Sequence, residues 1–140
     1  MQFYSSAIHV KTTSDTDIIN INPQVEDIVS RHNMRNGIVL LFIAGSTAAL
    51  TTIEYERGVI NDLRRAIEQI APAGIRYEHD ARWGDGNGYA HVRAALLGPS
   101  LAIPLRSGQL LLGTWQQIVL CDFDNRPRTR EIIVQLQGVA

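Results

Sequence analysis

The side chains best suited to chemistry lie in one glycine-rich stretch, residues 79–91. His79 and His91 supply two imidazoles there, and Asp85 supplies a carboxylate between two glycines. Imidazoles and carboxylates bind divalent metal ions, and the same groups transfer protons in acid–base catalysis. We therefore predict that these three residues are catalytic and that they hold a divalent ion, Mg²⁺ or Zn²⁺, or a metal–pyrophosphate.

The glycines of this stretch indicate a loop that leads into a helix. Glycine permits positive φ angles and lets the backbone approach a ligand closely. The first turn of the helix then offers free N–H groups to an anion. Gly86, Asn87 and Gly88 are accordingly predicted to bind substrate. A polar loop whose Asp and Asn side chains bond to their own backbone explains the same residues without a ligand, and spacing alone leaves both interpretations open.

A second candidate segment consists of the small residues Gly45, Ser46 and Thr47, which follow the apolar run 38–43. Its N–H groups and two hydroxyls would suit the phosphate group of a substrate. The lysine of a P-loop is missing, which excludes a Walker-type nucleotide site. Taken alone, the segment favours a bulge where two backbones pack closely, with phosphate binding as the functional alternative.

Three further residues belong to the candidate set. Glu54 ends a predicted strand and could act as a general base or a metal ligand, although such a residue is more often a surface charge. Trp115 offers a face for stacking, and Gln116 offers an amide that can bind the edge of a heterocycle. A tryptophan on a strand more commonly packs in a core or an interface.

Short elements position these candidates, and we assign them from hydrophobic periodicity and turn residues. Strands dominate and no run of βαβ units appears. We therefore predict one α+β domain, residues 1–140, with mainly antiparallel β-sheet layers and two or three helices. The predicted strands span 3–11, 18–21, 38–43, 48–54, 101–105, 110–112, 114–123 and 129–136, and the predicted helices span 22–36, 59–71 and 90–97, with a loop over 73–88.

Charge argues against a nucleic-acid partner. The formal net charge is -1, whereas proteins that hold nucleic acid by its phosphates usually carry a positive excess. The basic cluster Arg126, Arg128 and Arg130 is offset by Asp122 and Asp124. We predict that this cluster is a solvated strand edge.

The rest of the composition predicts a cytoplasmic protein with no membrane association. No apolar stretch approaches the roughly 18 residues of a transmembrane helix, and no signal peptide is recognisable. Cys121, the single cysteine, lies among apolar neighbours and is predicted to be a buried, inert thiol. His9 and His32 follow the patterns of their elements and are predicted to be structural. The low charged fraction, 19%, hints at surface that is buried between subunits.

Across these segments the sequence resembles the YjbQ family, also described as secondary thiamine-phosphate synthase-like proteins. The resemblance implies a compact α+β fold, a homotrimer with pockets between subunits, and weak thiamine-phosphate synthase activity. That reaction joins hydroxymethylpyrimidine diphosphate to a thiazole phosphate and releases pyrophosphate. The matching stretches run in family order over nearly the whole chain: 46–50 with Glu54, 79–80, 85–87 with 90–91, 98–100 with Pro104, 108–110 with 112–116, and 122–124 with 126–128.

One departure from the family pattern affects the metal prediction. Many members have His where this chain has Gly45, and Asn where it has Ile53. A three-histidine zinc site is therefore not supported, because only His79 and His91 remain. Asp85 or Glu54 would have to complete a metal shell, or no metal binds.

As a synthase, the chain would use Asp85 to hold the metal, and His79 and His91 to protonate the leaving group or bind the metal. The phosphorylated substrate would contact the remaining candidates. Two alternatives stay open: a non-catalytic trimeric protein that binds a phosphorylated metabolite or a metal ion, and a metal-dependent hydrolase with an open metal position. The expected substrate contacts are Gly45, Ser46 and Thr47 for phosphate and Trp115 for stacking.

Overall fold

Eight strands and four helices make up the fold in a computed structural model that describes residues 1–140. The α+β class with mainly antiparallel sheets is as predicted. None of the helices has the length and apolar character needed to span a bilayer. In chain order the elements are β1 (Gln2–Lys11), β2 (Asp17–Asn20), α1 (Asn22–Arg31), β3 (Asn36–Ile43), β4 (Ala48–Glu54), α2 (Arg57–Ile70), α3 (Glu78–Trp83), α4 (Gly88–Leu97), β5 (Ser100–Arg106), β6 (Gln109–Leu110), β7 (Gln116–Asp122) and β8 (Thr129–Val139).

Two antiparallel sheets form separate layers. The larger has the strand order β1-β8-β3-β5-β6, and the smaller has the order β2-β7-β4. Along β8 buried and exposed residues alternate, so that Ile132, Val134 and Leu136 point into the core, as expected for a strand with one buried face. The larger core lies between the two sheets and α1. The smaller core lies between the three-stranded sheet and the helices α2 and α4.

The first helix ends earlier than predicted, at Arg31 rather than near Asn36. Asn33 takes a positive φ of 51° and terminates the helix, a conformation that asparagine tolerates better than most residues. Gly37 lies in β3 and does not cap a helix. A Cβ atom there would lie 2.1 Å from the carbonyl oxygen of Gln137, so this glycine is required because β3 and β8 approach closely.

The structure has one helix more than the three predicted. This helix, α3, occupies part of the segment 73–88 that was predicted to be a loop. Glu78 and Asp80 lie in its first turn and Arg82 in its last, which is the charge order that the helix dipole favours. Gly84 ends the helix in the left-handed conformation, with φ 72°. The consequence for function is that His79, a residue of the predicted site, is held on a helix.

Residues predicted to be inert are so in the structure. Cys121 is fully buried, and burial raises the pKa of its thiol to about 12, so the reactive thiolate is not populated. The ring of His32 stacks on that of Tyr4 with centroids 4.3 Å apart. His9 Nε2 lies 2.9 Å from Glu131 Oε2 on the surface.

Candidate functional site

A pocket of about 340 Å³ forms where α3, α4 and the segment between β3 and β4 meet the turn before β8. Its volume falls within the usual range for small-molecule sites. It brings together two segments that the sequence singled out and two arginines that it did not. The lining residues are Gly45, Ser46, Thr47, His79, Trp83, Asp85, Asn87, His91, Arg128 and Arg130.

The two predicted imidazoles meet in this pocket. His79 extends from α3 and His91 from α4, with ring centroids 4.3 Å apart and planes inclined by 40°. His79 Nδ1 lies 3.5 Å from Asp80 Oδ1 and 3.7 Å from Asp85 Oδ1. One ligand atom from each of His79, Asp80 and Asp85 lies within 4.8 Å of the others. Such a group suits a divalent cation, which one imidazole and two carboxylates commonly bind. His91 stacks beside this group and does not belong to it.

Asp80 is a member of the metal-capable group that the prediction did not include. Its Oδ1 accepts a hydrogen bond of 2.9 Å from the backbone N–H of Gly88, so it ties α3 to the start of α4. A Cβ atom at Gly88 would lie 2.6 Å from Tyr77 Cβ. Gly88 therefore permits the two helices to pack closely, and it does not itself line the pocket. The signal in the sequence that would have identified Asp80 is its position directly after His79.

The prediction of a solvated basic cluster is wrong for Arg130, which is buried, and holds only in part for Arg128, whose side chain is 34% exposed. Asp122 and Asp124 are fully buried, and Arg130 is 8% exposed. Arg130 donates two hydrogen bonds to Asp122, Nε to Oδ2 at 2.7 Å and Nη2 to Oδ1 at 2.8 Å. Arg128 Nη2 lies 2.7 Å from Asp124 Oδ2. The chain turns sharply after β7, so the arginines fold back over the carboxylates, and only Arg126 stays exposed.

Asp124 remains ionised in this environment. Burial by itself raises its pKa, but hydrogen bonds from Asn87, Arg128, the backbone N–H of Asn125 and Thr47 outweigh burial and lower the pKa to about 2. Hydrogen bonds to a carboxylate stabilise its charged form. The floor of the pocket, formed by Asp122, Asp124, Arg128 and Arg130, thus consists of paired charges at physiological pH.

Gly45 leaves one nitrogen of Arg130 accessible from the pocket. Its φ is 113°, and a Cβ atom there would lie 3.2 Å from Arg130 Nη1. The other two nitrogens of Arg130 bond to Asp122 and Thr47, whereas Nη1 makes no hydrogen bond within the chain. Since glycine adds no side chain, the backbone passes beside the guanidinium without covering Nη1.

Five predicted site residues do not line this pocket: Gly86 and Gly88 are adjacent to lining residues, and Glu54, Trp115 and Gln116 lie farther away. Glu54 pairs in register with Gln116, at the end of β4 that is distant from Ala48. Six strand residues, 48–53, separate this pair from the pocket by about 20 Å. Trp115 precedes β7 at the same end and is 71% exposed. Within one chain, the aromatic residue that lines the pocket is Trp83.

The missed residues have a common signature in the sequence. Acids alternate at 122 and 124, and bases alternate at 128 and 130, on either side of the turn at Asn125. Two facing charge patterns of this kind match ion pairs across a turn, but their burial depends on packing that the sequence does not display.

Known proteins resemble this chain over nearly its whole length. The family model described as UPF0047 protein YjbQ-like matches residues 6–139. A UPF0047 protein of Archaeoglobus fulgidus is 43% identical over 126 residues, which are 90% of this chain and 95% of that protein. The UPF0047 protein YugU of Bacillus subtilis is 32% identical over 133 residues, covering 94% of this chain and 97% of YugU.

Solved structures agree over the whole fold. A YbjQ-like protein of unknown function from Sulfolobus solfataricus superposes with a TM-score of 0.92 at 36% identity, and the match covers 98% of both chains. A protein from Aeropyrum pernix superposes with a TM-score of 0.89 at 27% identity, covering 96% of this chain and 98% of that one. The chain therefore belongs to the UPF0047 YjbQ-like family.

Proposed function

We propose that the pocket binds a phosphorylated small molecule together with a divalent metal ion and catalyses the displacement of pyrophosphate, as in thiamine-phosphate synthase. The observation that carries this proposal is the juxtaposition of two kinds of group in one pocket. His79, Asp80 and Asp85 form an anionic group suited to a cation, and Arg128 and Arg130 line the same pocket with cationic groups suited to phosphate oxygens. A metal–pyrophosphate needs both.

The donor atoms fit a divalent ion. One imidazole nitrogen and two carboxylate oxygens lie within 4.8 Å of one another, and the His79 and Asp80 side chains are only 29% and 25% exposed. A divalent ion held by these residues would neutralise charge on the departing pyrophosphate. The partial burial strengthens its attraction to the carboxylates relative to that at an open surface.

The anion-binding elements come from two other parts of the chain. Arg130 Nη1 faces the pocket beside Gly45, and Thr47 is held in place because its hydroxyl accepts from Arg130 Nη2 at 2.8 Å and donates to Asp124 at 3.1 Å. Guanidinium groups bind phosphate oxygens well because their donors lie in one plane. Ser46 adds a hydroxyl that makes no hydrogen bond within the chain. These groups are positioned before a ligand arrives, which is the requirement for electrostatic stabilisation.

The bond changes of the proposed reaction are simple. The bond between the methylene carbon of the pyrimidine and the diphosphate oxygen breaks, and its electron pair leaves with the oxygen. The nitrogen of the thiazole phosphate donates its electron pair to that carbon and forms the new bond. Negative charge therefore grows on the leaving oxygen, and in this proposal His91 donates a proton or a hydrogen bond to it. Trp83, which is 66% exposed at the rim, supplies a face for a ring.

Purified protein with both substrates and Mg²⁺ should yield thiamine phosphate, detected by mass spectrometry. A His91→Ala protein is expected to lose at least about 100-fold in rate, the usual effect of removing a general acid. His9→Ala is the matched control, since His9 pairs with Glu131 on the surface and should keep the full rate. Equal rates for His91→Ala and the parent protein would remove His91 from the mechanism.

The same assay separates the two alternatives. Release of pyrophosphate or phosphate from the diphosphate substrate alone, with no joined product, would indicate a metal-dependent hydrolase. A rise in melting temperature with either substrate and no turnover would indicate a binding protein. We also propose a cytoplasmic location, since the substrates of the proposed synthase are phosphorylated metabolites.

We further propose a homotrimer, as the family resemblance implies. The outer face of the five-stranded sheet carries a row of uncovered apolar residues, Phe3, Ile38, Leu40 and Phe42, which are 60%, 53%, 40% and 43% exposed. Several exposed apolar side chains on one sheet face are typical of a subunit interface. The sheet thus supplies a surface that a second copy would cover.

A Leu40→Lys substitution is expected to convert the trimer to monomers, because it places a charge in the middle of this face. Light scattering after size exclusion measures the mass directly. Gln24→Lys, at an exposed position of α1, is the control and should leave the trimer intact. A parent protein with the mass of one chain at micromolar concentration would contradict the proposal.

A further inference from the structure

One buried side-chain polar atom has no hydrogen-bond partner, and it belongs to a residue that lines the pocket. It is Oδ1 of Asn87, a residue that is 6% exposed and lines the pocket wall. Asn87 precedes α4 directly, where an asparagine side chain usually accepts a backbone N–H of the first turn. Here its side chain makes no such bond. A buried acceptor left unpaired is costly, so its position calls for a partner outside the chain.

The orientation of this amide is determined by its neighbour. Asn87 Nδ2 donates to Asp124 Oδ1 at 3.2 Å. Because the pKa of Asp124 is lowered to about 2, its carboxylate is ionised and only accepts hydrogen bonds. A rotated amide would oppose two acceptor oxygens. The NH₂ group must therefore face Asp124, and the carbonyl oxygen is the atom left for a ligand.

We propose that Asn87 Oδ1 accepts a hydrogen bond from an amino group on the ring of the substrate, so that the pocket selects amino-substituted heterocycles among phosphorylated molecules. This inference rests on the proposed function and names the substrate feature that the pocket recognises. Hydroxymethylpyrimidine diphosphate has such a ring amine next to the methylene carbon that reacts. A hydrogen bond there would fix the ring relative to the phosphate subsite.

An amine is favoured over a metal ion at this oxygen for electrostatic reasons. The amide is anchored beside Asp124, whose charge Arg128 already compensates at 2.7 Å, with Arg130 Nη2 at 3.9 Å. Since Asp124 and Asp122 cancel the charges of Arg128 and Arg130, this oxygen has no excess negative charge beside it to attract a divalent ion. The carboxylates that suit a metal, Asp80 and Asp85, come from α3 and the loop after it. A neutral N–H donor needs no such charge and satisfies the oxygen.

The test compares two ligands on two proteins by titration calorimetry. The ligands are hydroxymethylpyrimidine diphosphate and its analogue with hydrogen in place of the ring amine, each with Mg²⁺ and without the thiazole substrate. The parent protein should bind the amine ligand about 10- to 100-fold more tightly, the effect of leaving one buried acceptor unpaired. In Asn87→Ala that preference should fall to about twofold or less. Asn61→Ala, at an exposed position of α2, should keep the preference.

The outcomes are distinct. Equal affinity of the parent protein for the two ligands would overturn this inference and leave the proposed function intact, and solvent alone would then satisfy Oδ1. Binding of neither ligand would overturn the proposed function and the inference with it. A loss of Mg²⁺ affinity in Asn87→Ala, measured with Mg²⁺ alone, would assign the oxygen to a metal and overturn the inference. If Asn87→Ala does not fold, the ligand preference of the parent protein decides by itself.

Discussion

An Arg130→Met protein is expected to have a free energy of unfolding about 3–5 kcal/mol lower than the parent, which is the cost of breaking a buried ion pair from one side. Arg130 makes a two-bond contact with Asp122, which is fully buried. Methionine fills similar volume but leaves the carboxylate without its cation. Thr12 still donates to Asp122 at 2.7 Å, and one hydroxyl does not replace a guanidinium.

Urea denaturation followed by circular dichroism measures this change. Arg126→Met is the matched control, because Arg126 lies in the same turn and is exposed; its unfolding free energy should change by less than about 0.5 kcal/mol. The double substitution Arg130→Met with Asp122→Leu should recover at least half of the loss, since it removes the orphaned charge as well. A loss below about 1 kcal/mol in Arg130→Met would show that solvent reaches Asp122 and that the pair is not buried in solution.

The second large effect concerns the metal-capable group. An Asp80→Asn protein should lose about 10- to 100-fold in Mg²⁺ affinity, and thiamine phosphate formation should fall by at least a similar factor. The substitution removes the negative charge and keeps the shape. Its remaining oxygen can still accept from the N–H of Gly88, the bond that measures 2.9 Å in the parent. The fold should therefore be retained while cation binding is lost.

Calorimetric titration with Mg²⁺ and a thermal melt together test this separation. The melting temperature is expected to change by only a few degrees, because the hydrogen bond to α4 survives. Asp62→Asn is the control, since Asp62 pairs with Arg65 on the exposed surface of α2. Unchanged Mg²⁺ affinity in Asp80→Asn would show that Asp80 only joins α3 to α4.

These two expectations differ because the pocket has a rigid floor and a more open rim. The floor consists of carboxylates and guanidinium groups that are already paired, so a substitution there lowers stability in addition to removing the phosphate contact proposed for Arg130. At the rim, Asp85 keeps a side-chain exposure of 54% and lies 3.7 Å from His79. Groups at the rim have spare charge and access to solvent, so substitutions there should affect binding more than folding.

The sequence by itself determined the features that depend on short-range periodicity. The segment 48–54 was predicted to be a strand or extended segment and is strand β4, Ala48–Glu54, because the small residues 44–47 separate it from the preceding apolar run. The glycine-rich stretch 79–91 was recognised as chemically capable from its composition alone. Family membership also followed from local motifs, and the matched residues 6–139 confirm it.

Only the tertiary structure decided which charges face each other. Thr47 and Asp124 are 77 residues apart, and Asn87 and Asp124 are 37 apart, so no local pattern predicts that they meet. The same holds for Arg130, predicted to be solvated and found buried against Asp122. The pairing of strands and the packing of α4 place these groups together, and low solvent access then strengthens each interaction.

The early end of α1 and the extra helix α3 have the same physical origin. Asn36 and Gly37 resemble a helix terminus in the sequence. They belong to a strand because β3 pairs closely with β8 at these residues. Residues 78–83 are too few to form a stable helix alone, and the bond from Gly88 to Asp80 anchors them to α4. The sequence thus determined which residues are capable of chemistry, whereas long-range packing decided which of them share a pocket, since desolvation and charge pairing depend on neighbours distant in the chain.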